Sequence, residues 1–348
     1  MLGLDRKAAR YTWTVVAVLL LVELIYVVRS TLFVFTIALL FAYLLYPLVN
    51  LLDRAMPWPR TRGLALALAY LIFIVVVVTV GVQIGSRVAD QAQALSKKFP
   101  EMVATWEAQP APETASDLKA QILENVRNEV ARRANDLVHL LPAAGVKLMS
   151  VASDLIFIVI IPILAFFFLK DGETIRAHIL SLVDAGPWRT RLDSLMVDVH
   201  RLLAQYMRAL VLLSLATFVA YTVSFTLMGL PFGVLLAVIA MCLEIIPTLG
   251  PLAAAVVIIV VTAIGGGPVL AVIIFLVIYR MFQDYVLSPH LMGQGVELHG
   301  LLVLFGVFAG AEVAGIAGSF LSVPILALAR VFYVHMRRTR VAAPSEVV

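Results

Sequence analysis

The sequence predicts an all-α integral membrane protein with about six to eight transmembrane helices. Three observations predict this fold class. Of the 348 residues, 62% are hydrophobic and only 14% are charged, the mean hydropathy is +1.01, and several long stretches contain no charged side chain. Soluble domains carry roughly 25% charged residues, and a bilayer core of about 30 Å takes around 20 apolar helical residues. An ordinary water-facing surface is therefore excluded.

The N-terminal membrane region, residues 1–86, is expected to hold three spans. Apolar runs cover residues 13–28, 30–52 and 63–86. Only Arg29 separates the first two runs, and we interpret them as a tight helical hairpin. A signal peptide is rejected because no small-x-small cleavage motif follows the first run.

A polar segment, residues 87–147, interrupts the apolar pattern. It holds eight basic and eight acidic residues, and apolar residues at spacings of four or seven follow a candidate N-cap, Ser116. We expect an extracytoplasmic helical insertion whose apolar stripe packs on the protein itself or on a sister subunit. A helix that lies on the membrane surface or binds a partner is the alternative. A fourth span, residues 148–169, and cytoplasmic amphipathic helices, residues 170–208, follow it.

The basic residues predict the orientation of the spans. Lys and Arg cluster before the first span, after the second, within residues 170–208 and in the tail, residues 335–348. Such clusters are retained on the cytoplasmic side of a membrane. Both termini are therefore predicted to be cytoplasmic, and the polar insertion, with zero net charge, is predicted on the opposite side.

The C-terminal membrane region, residues 209–334, contains two unusual apolar segments. Residues 232–264 would form a helix of about 50 Å, which is too long for one straight span and short for two, and residues 300–334 are similar. Re-entrant hairpins would give six crossings in all, and bent single spans would give eight. Helix breakers lie near the middle of each segment, namely Pro247, Gly250, Pro251, Gly315 and Gly318. We favour hairpins because halves of 13 to 16 residues have re-entrant rather than spanning length.

One pattern in the last segment favours a continuous helix instead. Small residues recur there at every fourth position, which suits close packing of one unbroken helix on a neighbour. The ladder consists of Gly306, Gly310, Ala314, Gly318 and Ser322.

Ionisable residues at membrane depth are candidates for a transport site, because burying such a charge costs at least about 2.5 kcal/mol. Broken helices add free backbone groups and partial charges beside them. The predicted substrate-binding or ion-binding residues are Glu244, Pro247, Gly250, Pro251, Arg280, Gln283, Asp284 and Glu312. Structural alternatives stay open: Glu244 could cap neighbouring helices, and Arg280 and Asp284 could simply neutralise each other at the i, i+4 spacing.

Several enzyme and ATPase motifs are absent from the sequence. It has no G-x-x-x-x-G-K-[ST] for ATP phosphates, no His-Glu-x-x-His and no G-x-S-x-G, and its single cysteine, Cys242, cannot form an intrachain disulfide. We therefore expect no enzyme, no catalytic residues, no cofactor and no metal site. The net charge of +4 follows from the orientation signals, so no nucleic-acid partner is expected.

Four phrases of the sequence carry a family resemblance. They are Phe-Phe-Phe-Leu-Lys-Asp-Gly-Glu at 166–173, Glu-Ile-Ile-Pro-Thr-Leu-Gly-Pro at 244–251, the stretch from Gln283 to His299, and the pattern Gly310, Gly315, Gly318 and Pro324. Together they resemble the autoinducer-2 exporter (AI-2E) family of bacterial membrane transporters over essentially the whole chain. Asp284 and Gly300 depart from the family pattern, which usually has Glu and Pro there.

The resemblance implies a multi-pass secondary transporter in the bacterial cytoplasmic (inner) membrane. The first hypothesis is export of a small polar solute, such as the quorum-sensing signal autoinducer-2, with proton coupling. A Na⁺(Li⁺)/H⁺ antiporter is the alternative, and a non-transporting membrane scaffold is a third. The expected partners are the solute or cation, the lipid bilayer and further copies of the chain in a homo-oligomer.

Overall fold

The computed structural model describes residues 6–55, 62–108, 155–292 and 298–341. This part of the chain is helical and contains no β-strand, so the predicted all-α fold class is confirmed. The apolar stripe predicted after Ser116 lies outside the described residues.

The described part of the chain forms ten α-helices and one π-helical turn. In order, they are α1 (Arg6–Val27), α2 (Arg29–Ala55), α3 (Arg62–Ala108), α4 (Leu155–Ser181), α5 (Pro187–Leu227), α6 (Gly233–Leu243), α7 (Leu249–Ile264), α8 (Val269–Phe282), the π-turn (Gln283–Leu287), α9 (Ser288–Met292) and α10 (Gly300–Val341). Within this part, six helical stretches are long and apolar enough to cross a membrane: α1, α2, α3, α5, α10 and the run from α8 into α9.

The junction of α1 and α2 is not the tight hairpin that we predicted. Only Val28 separates the helices; its N–H donates to the Leu24 carbonyl at 3.0 Å, and its carbonyl accepts from the Leu32 N–H at 2.9 Å. A single residue with helical hydrogen bonds on both sides leaves no loop in which the chain could reverse. The side chains from Arg10 to Val27 are all exposed, so this part of α1 buries no face against α2. The charge of Arg29 indicated where the two helices meet, but it gave no information on the angle between them.

Two apolar clusters join α2 to its neighbours. In one, Leu45 of α2 packs with Leu66 of α3 and Ala165 of α4. In the other, Leu40 of α2 packs in a cluster with Tyr206 of α5 and residues of α10. Helix α2 therefore connects the N-terminal helices to the C-terminal half of the chain.

Helix α3 continues well past residue 86, where its span was predicted to end. Its last third belongs to the largest apolar cluster, together with α5, α6, α7 and α8, through Leu95, Phe99 and Val103. In addition, the Gln91 side-chain oxygen accepts the Leu235 backbone N–H at 2.8 Å, one of the N–H groups that the first turn of α6 leaves free. The first part of the polar insertion is thus an extension of α3 that fixes the start of α6.

Helices α6 and α7 fold back on each other around a break at residues 244–248. They have 11 and 16 residues, which corresponds to about 17 and 24 Å. At the other end of the pair, a Cβ atom on Gly265 would lie 3.7 Å from the Pro231 side chain. The end of α7 therefore lies beside the start of α6. This is the fold-back that the length and the breakers of the segment predicted.

Helix α10 also folds back, at Ala314 and Gly315. Both residues leave the helical conformation, and Gly315 adopts a φ of 61°. A Cβ atom on Gly310 would lie 2.6 Å from the carbonyl carbon of Gly318, whereas residues eight apart in a straight helix are about 12 Å apart. The Ser319 hydroxyl also donates to the Val307 carbonyl at 3.2 Å. α10 therefore consists of two contacting arms.

The alternative of one continuous helix, which the small-residue ladder favoured, is therefore wrong. The ladder does provide close helix packing, but between the two arms of one hairpin rather than between one helix and a neighbour. The exposed tip at Gly315 needs a positive φ, which glycine adopts without strain.

Candidate functional site

Glu244 directly follows Leu243, the last residue of α6, and is the first residue of the break before α7. The turn that follows needs its particular residues. Pro247 has no N–H and ends helical bonding, and Thr248 adopts a φ of 65°, which is uncommon for a residue with a β-branched side chain. The break therefore holds the carboxylate at a fixed point of the hairpin tip.

Gly250 allows the two helices of this hairpin to approach closely. A Cβ atom there would overlap the Leu243 carbonyl oxygen and lie 2.7 Å from its carbon. The Gly250 N–H donates to the Ile246 carbonyl at 3.0 Å. Pro251 lies in the first turn of α7, where its missing N–H costs no helical hydrogen bond. Pro247, Gly250 and Pro251 thus shape the backbone around Glu244.

The Glu244 carboxylate contacts groups from α5, α8 and the π-turn. Gln283 Nε2 donates to Oε1 at 2.5 Å, and Thr217 Oγ1 donates to Oε2 at 3.4 Å. Arg280 Nη1 lies 3.9 Å from Oε1, which is beyond hydrogen-bond distance but close enough for strong attraction. Only 9% of the Glu244 side chain is exposed. A carboxylate at this degree of burial depends on such partners, because an unpaired one would carry a large desolvation cost.

Arg280 connects Glu244 to a second carboxylate. Its Nε donates to Asp284 Oδ2 at 2.8 Å, and the two side chains are 40% and 46% exposed. The predicted self-neutralising pair therefore exists, but it also lies next to Glu244. The cluster has a buried end at Glu244 and an open end at Asp284.

The π-turn places Gln283 and Asp284 in different surroundings. Immediately after α8, the wider turn of residues 283–287 leaves Gln283 buried, with 3% exposure, while the Asp284 side chain stays half exposed. Single π-turns of this kind inside α-helices occur frequently at functional sites. The amide thus reaches Glu244, and the acid reaches Arg280.

Glu312 does not join this cluster. It is exposed on the first arm of α10, and within the described ranges no hydrogen bond or ion pair links it to Glu244, Arg280 or Asp284. The structure thus brings together Glu244, Arg280, Gln283 and Asp284, surrounds them with the predicted backbone residues, and leaves Glu312 apart.

Two polar residues of the cluster were not predicted from the sequence. Thr217 is buried at 1% exposure, and its hydroxyl lies 3.1 Å from the Tyr279 hydroxyl as well as near Glu244. Both residues stand in apolar runs, where an uncharged polar side chain is common. The available signal was that Tyr279 lies one turn before Gln283 on the same helix face.

The charges of the cluster suit a polar ligand better than a metal ion. Among the described residues, no group of three His, Cys, Asp or Glu could hold a metal ion. The cluster instead offers carboxylate acceptors, guanidinium and amide donors, and two hydroxyl groups. Such a set can hydrogen-bond a small solute and can exchange a proton at Glu244.

A family profile with the description AI-2E family transporter matches residues 15–338. The chain belongs to this family. The matched range includes the whole Glu244 cluster and both folded-back segments, so the family resemblance of the sequence is confirmed over nearly its full length.

Individual AI-2E relatives are similar at lower identity. "Putative transport protein YrrI" of Bacillus subtilis (strain 168) is 31% identical over 181 residues, and the alignment spans only about half of each chain, 52% of this one and 51% of YrrI. "Putative transport protein YueF" of the same organism is 24% identical over 355 residues and 95% of both chains. "Putative transport protein MJ1177" of Methanocaldococcus jannaschii is 20% identical over 342 residues, covering 95% of this chain and 98% of MJ1177.

These comparisons and the fold together define the general class of the protein. The family consists of transporters, and the described part of the chain has six helical stretches suited to crossing a membrane. The protein is therefore a multi-pass membrane protein of a transporter family.

Proposed function

We propose that this AI-2E protein is a secondary transporter that exports a small polar solute and binds it at the Glu244 cluster. The single observation that supports this most strongly is the contact of a buried carboxylate, at the tip of a broken helix pair, with polar groups from α5, α8 and the π-turn. Broken helices of this kind form the binding sites of many secondary transporters. The family resemblance does not fix the solute, and autoinducer-2 is the first candidate to test.

The helix lengths support a position of this cluster near the middle of the bilayer. Thr217 lies ten residues from the Leu227 end of α5, and Gln283 lies 14 residues from the Val269 end of α8. At 1.5 Å per residue, these distances are about 15 and 21 Å. A hydrocarbon core is about 30 Å thick. With the Leu227 and Val269 ends at its surface, both groups lie in its central region, which is the position that we propose.

The position of Arg280 favours a solute over a sodium ion. Its guanidinium lies 3.9 Å from the Glu244 carboxylate and would repel a monovalent cation at the same place. A polar solute with hydroxyl or carbonyl oxygens would instead use the guanidinium as a donor and the two carboxylates as acceptors. Sodium or lithium exchange therefore remains the second hypothesis, to be separated by experiment.

The open end of the cluster disfavours a purely structural role. A membrane scaffold would be expected to keep its carboxylates paired and dry, whereas the side chains of Arg280 and Asp284 are 40% and 46% exposed. Charged groups exposed at membrane depth are tolerated where they line a water-filled path. We propose that Asp284 marks such a path and that Glu244, at its inner end, carries the coupling proton.

We further propose that the protein lies in the bacterial cytoplasmic membrane with the Arg54 end of α2 and residues 170–208 on the cytoplasmic side. The support is the bias of basic residues toward these segments. Cytoplasmic positions of both termini, and assembly into a homo-oligomer, stay predictions from the sequence.

Flux measurements on the purified protein test this function. Proteoliposomes containing the chain would be loaded with autoinducer-2, and its efflux would be followed with and without an imposed pH gradient. A pH-sensitive dye in parallel vesicles would report any response to Na⁺ or Li⁺. We expect efflux of the solute and no cation-dependent proton movement. Cation-dependent proton movement without solute efflux would reject the proposal in favour of antiport, and no flux of either kind would favour the scaffold.

A further inference from the structure

A cavity lies between α2, α4 and α5, away from the Glu244 cluster. Its volume is about 490 Å³, within the range of roughly 300 to 1,000 Å³ that is usual for small-molecule sites. Apolar side chains, among them Leu39, Phe168 and Met196, form much of its wall, and Tyr46, Arg176 and His200 add polar groups. The cavity therefore combines an apolar body with a few polar positions, as ligand sites generally do.

Two hydrogen-bond donors at this cavity have no partner among the residues that the structure describes. The Tyr43 hydroxyl lies 3.1 Å from His200 Nδ1, and since a phenol is the better donor of the two, Nδ1 accepts and Nε2 carries the imidazole proton. Tyr46 packs edge-on against the same imidazole ring, with centroids 4.8 Å apart. Across the described ranges, neither the Tyr46 hydroxyl nor His200 Nε2 has a hydrogen-bond partner.

Arg176 supplies a third donor, and its positive charge is shared with Asp193. Its Nε and Nη2 atoms both donate to Asp193 Oδ1, at 2.9 and 2.6 Å. These two hydrogen bonds fix the orientation of the guanidinium, and Nη1 takes no part in them. Asp193 is not part of the lining, and Glu173, the carboxylate among the described lining residues, already takes part in an interaction of its own. The polar positions of the cavity are therefore mainly donors.

We propose that this cavity binds an organic carboxylate with an apolar body. Its oxygens accept from Tyr46, His200 and Arg176, and its apolar part lies against Leu39 and Phe168. Hydrogen bonds from a guanidinium to a carboxylate are charge-assisted and therefore among the stronger ones. A neutral ligand would form weaker hydrogen bonds with these three donors than a carboxylate does, and a small inorganic anion would leave the apolar wall unfilled.

The cavity is separate from the proposed transport site. His200 and Thr217 lie 17 residues apart on the continuous helix α5, which corresponds to about 25 Å. Binding at the cavity therefore does not depend on Glu244, and the proposal can hold or fail independently of the transport proposal.

Calorimetric titration of the full chain in lipid nanodiscs tests the proposal. The probes are benzoate, a water-soluble acid, and octanoate, an acid that partitions into bilayers, with benzamide as the neutral match to benzoate and empty nanodiscs as the blank. We expect saturable binding of at least one acid, at least tenfold weaker in Arg176→Gln and at least threefold weaker in Tyr46→Phe. Tyr46→Phe keeps the ring and removes only the unpartnered hydroxyl, so it tests the site even if Arg176→Gln disturbs the fold.

Matched variants outside the cavity complete the test. Arg189→Gln and Tyr333→Phe change exposed residues that do not line it and should bind like wild type, as should Glu244→Gln. Binding of octanoate alone would identify an acid delivered by the bilayer, and binding of benzoate would identify a soluble one; both outcomes support the proposal. It is overturned if benzamide binds as well as benzoate, if Tyr46→Phe and Arg176→Gln bind normally, or if neither acid gives saturable heat.

Discussion

Replacing Gly250 with alanine tests the close approach of α6 and α7. The added methyl group would overlap the Leu243 carbonyl oxygen and lie 2.7 Å from its carbon, whereas an ordinary contact is 3.4 Å or more. The two backbones must therefore separate by at least about 0.7 Å, which is the difference between these distances. Because both obstructing atoms are backbone atoms, no side-chain rotation relieves the overlap. Overpacking costs about 1 to 3 kcal/mol, and we expect a value near the upper end.

Thermal unfolding of the purified protein in detergent measures this effect. With about 2 °C of Tm lost per kcal/mol for a chain of this size, Gly250→Ala should lower Tm by about 6 °C. Gly85→Ala is the matched control, since a methyl group at that position of α3 meets nothing within 4 Å and alanine is the better helix former. An unchanged Tm in Gly250→Ala would refute the proposed contact between the two helices.

Two further substitutions test the second hairpin and the cluster. Gly318→Ala would place a methyl group 2.8 Å from the Gly310 carbonyl carbon, so we expect Tm to fall by a similar amount because the two arms of α10 must separate. Thr217→Val removes the hydroxyl between Glu244 and Tyr279 with little change of shape. A buried polar group that loses its hydrogen-bond partner costs about 1 to 3 kcal/mol. Because Glu244 and Tyr279 both lose this partner, we expect solute efflux from proteoliposomes to fall by about tenfold. Gly81→Ala is the control for Gly318→Ala, because a methyl group at Gly81 meets open space. Thr226→Val is the control for Thr217→Val, because it loses only an exposed hydrogen bond to Thr222 of its own helix. If either test variant behaves like its control, the contact that it removes does not have the role assigned to it.

The sequence predicted the parts of this fold that depend on local chemistry. Long uncharged runs indicated the apolar helices, and Pro247 and Gly250 indicated the break. The missing N–H of proline and the missing side chain of glycine each act on the backbone in the same way wherever the residue stands. The acid beside the break was found for the same reason. These features need no knowledge of what else packs nearby.

The remaining features depend on distant contacts. Small residues in α10 suit a continuous helix and a closed hairpin equally well, and only the non-helical backbone at Gly315 decides between them. Glu312 is an acidic residue within an apolar segment, which is typical of a site residue, yet the fold leaves it exposed. Thr217 is a site candidate only because α5 brings its hydroxyl to Glu244 across 27 residues of sequence. Periodicity within one segment cannot reveal these pairings.

Glu244 belongs to the proposed transport site, whereas Glu312 lies outside it and is exposed. Autoinducer-2 efflux from proteoliposomes, with insertion of each variant verified, tests this assignment. Replacing Glu244 with glutamine keeps its size but removes the charge that lies beside Arg280. We predict that Glu244→Gln reduces efflux by at least about tenfold, or about 1.4 kcal/mol, while Glu312→Gln transports at the wild-type rate. Wild-type efflux in Glu244→Gln, or an equal loss in both variants, would contradict the account.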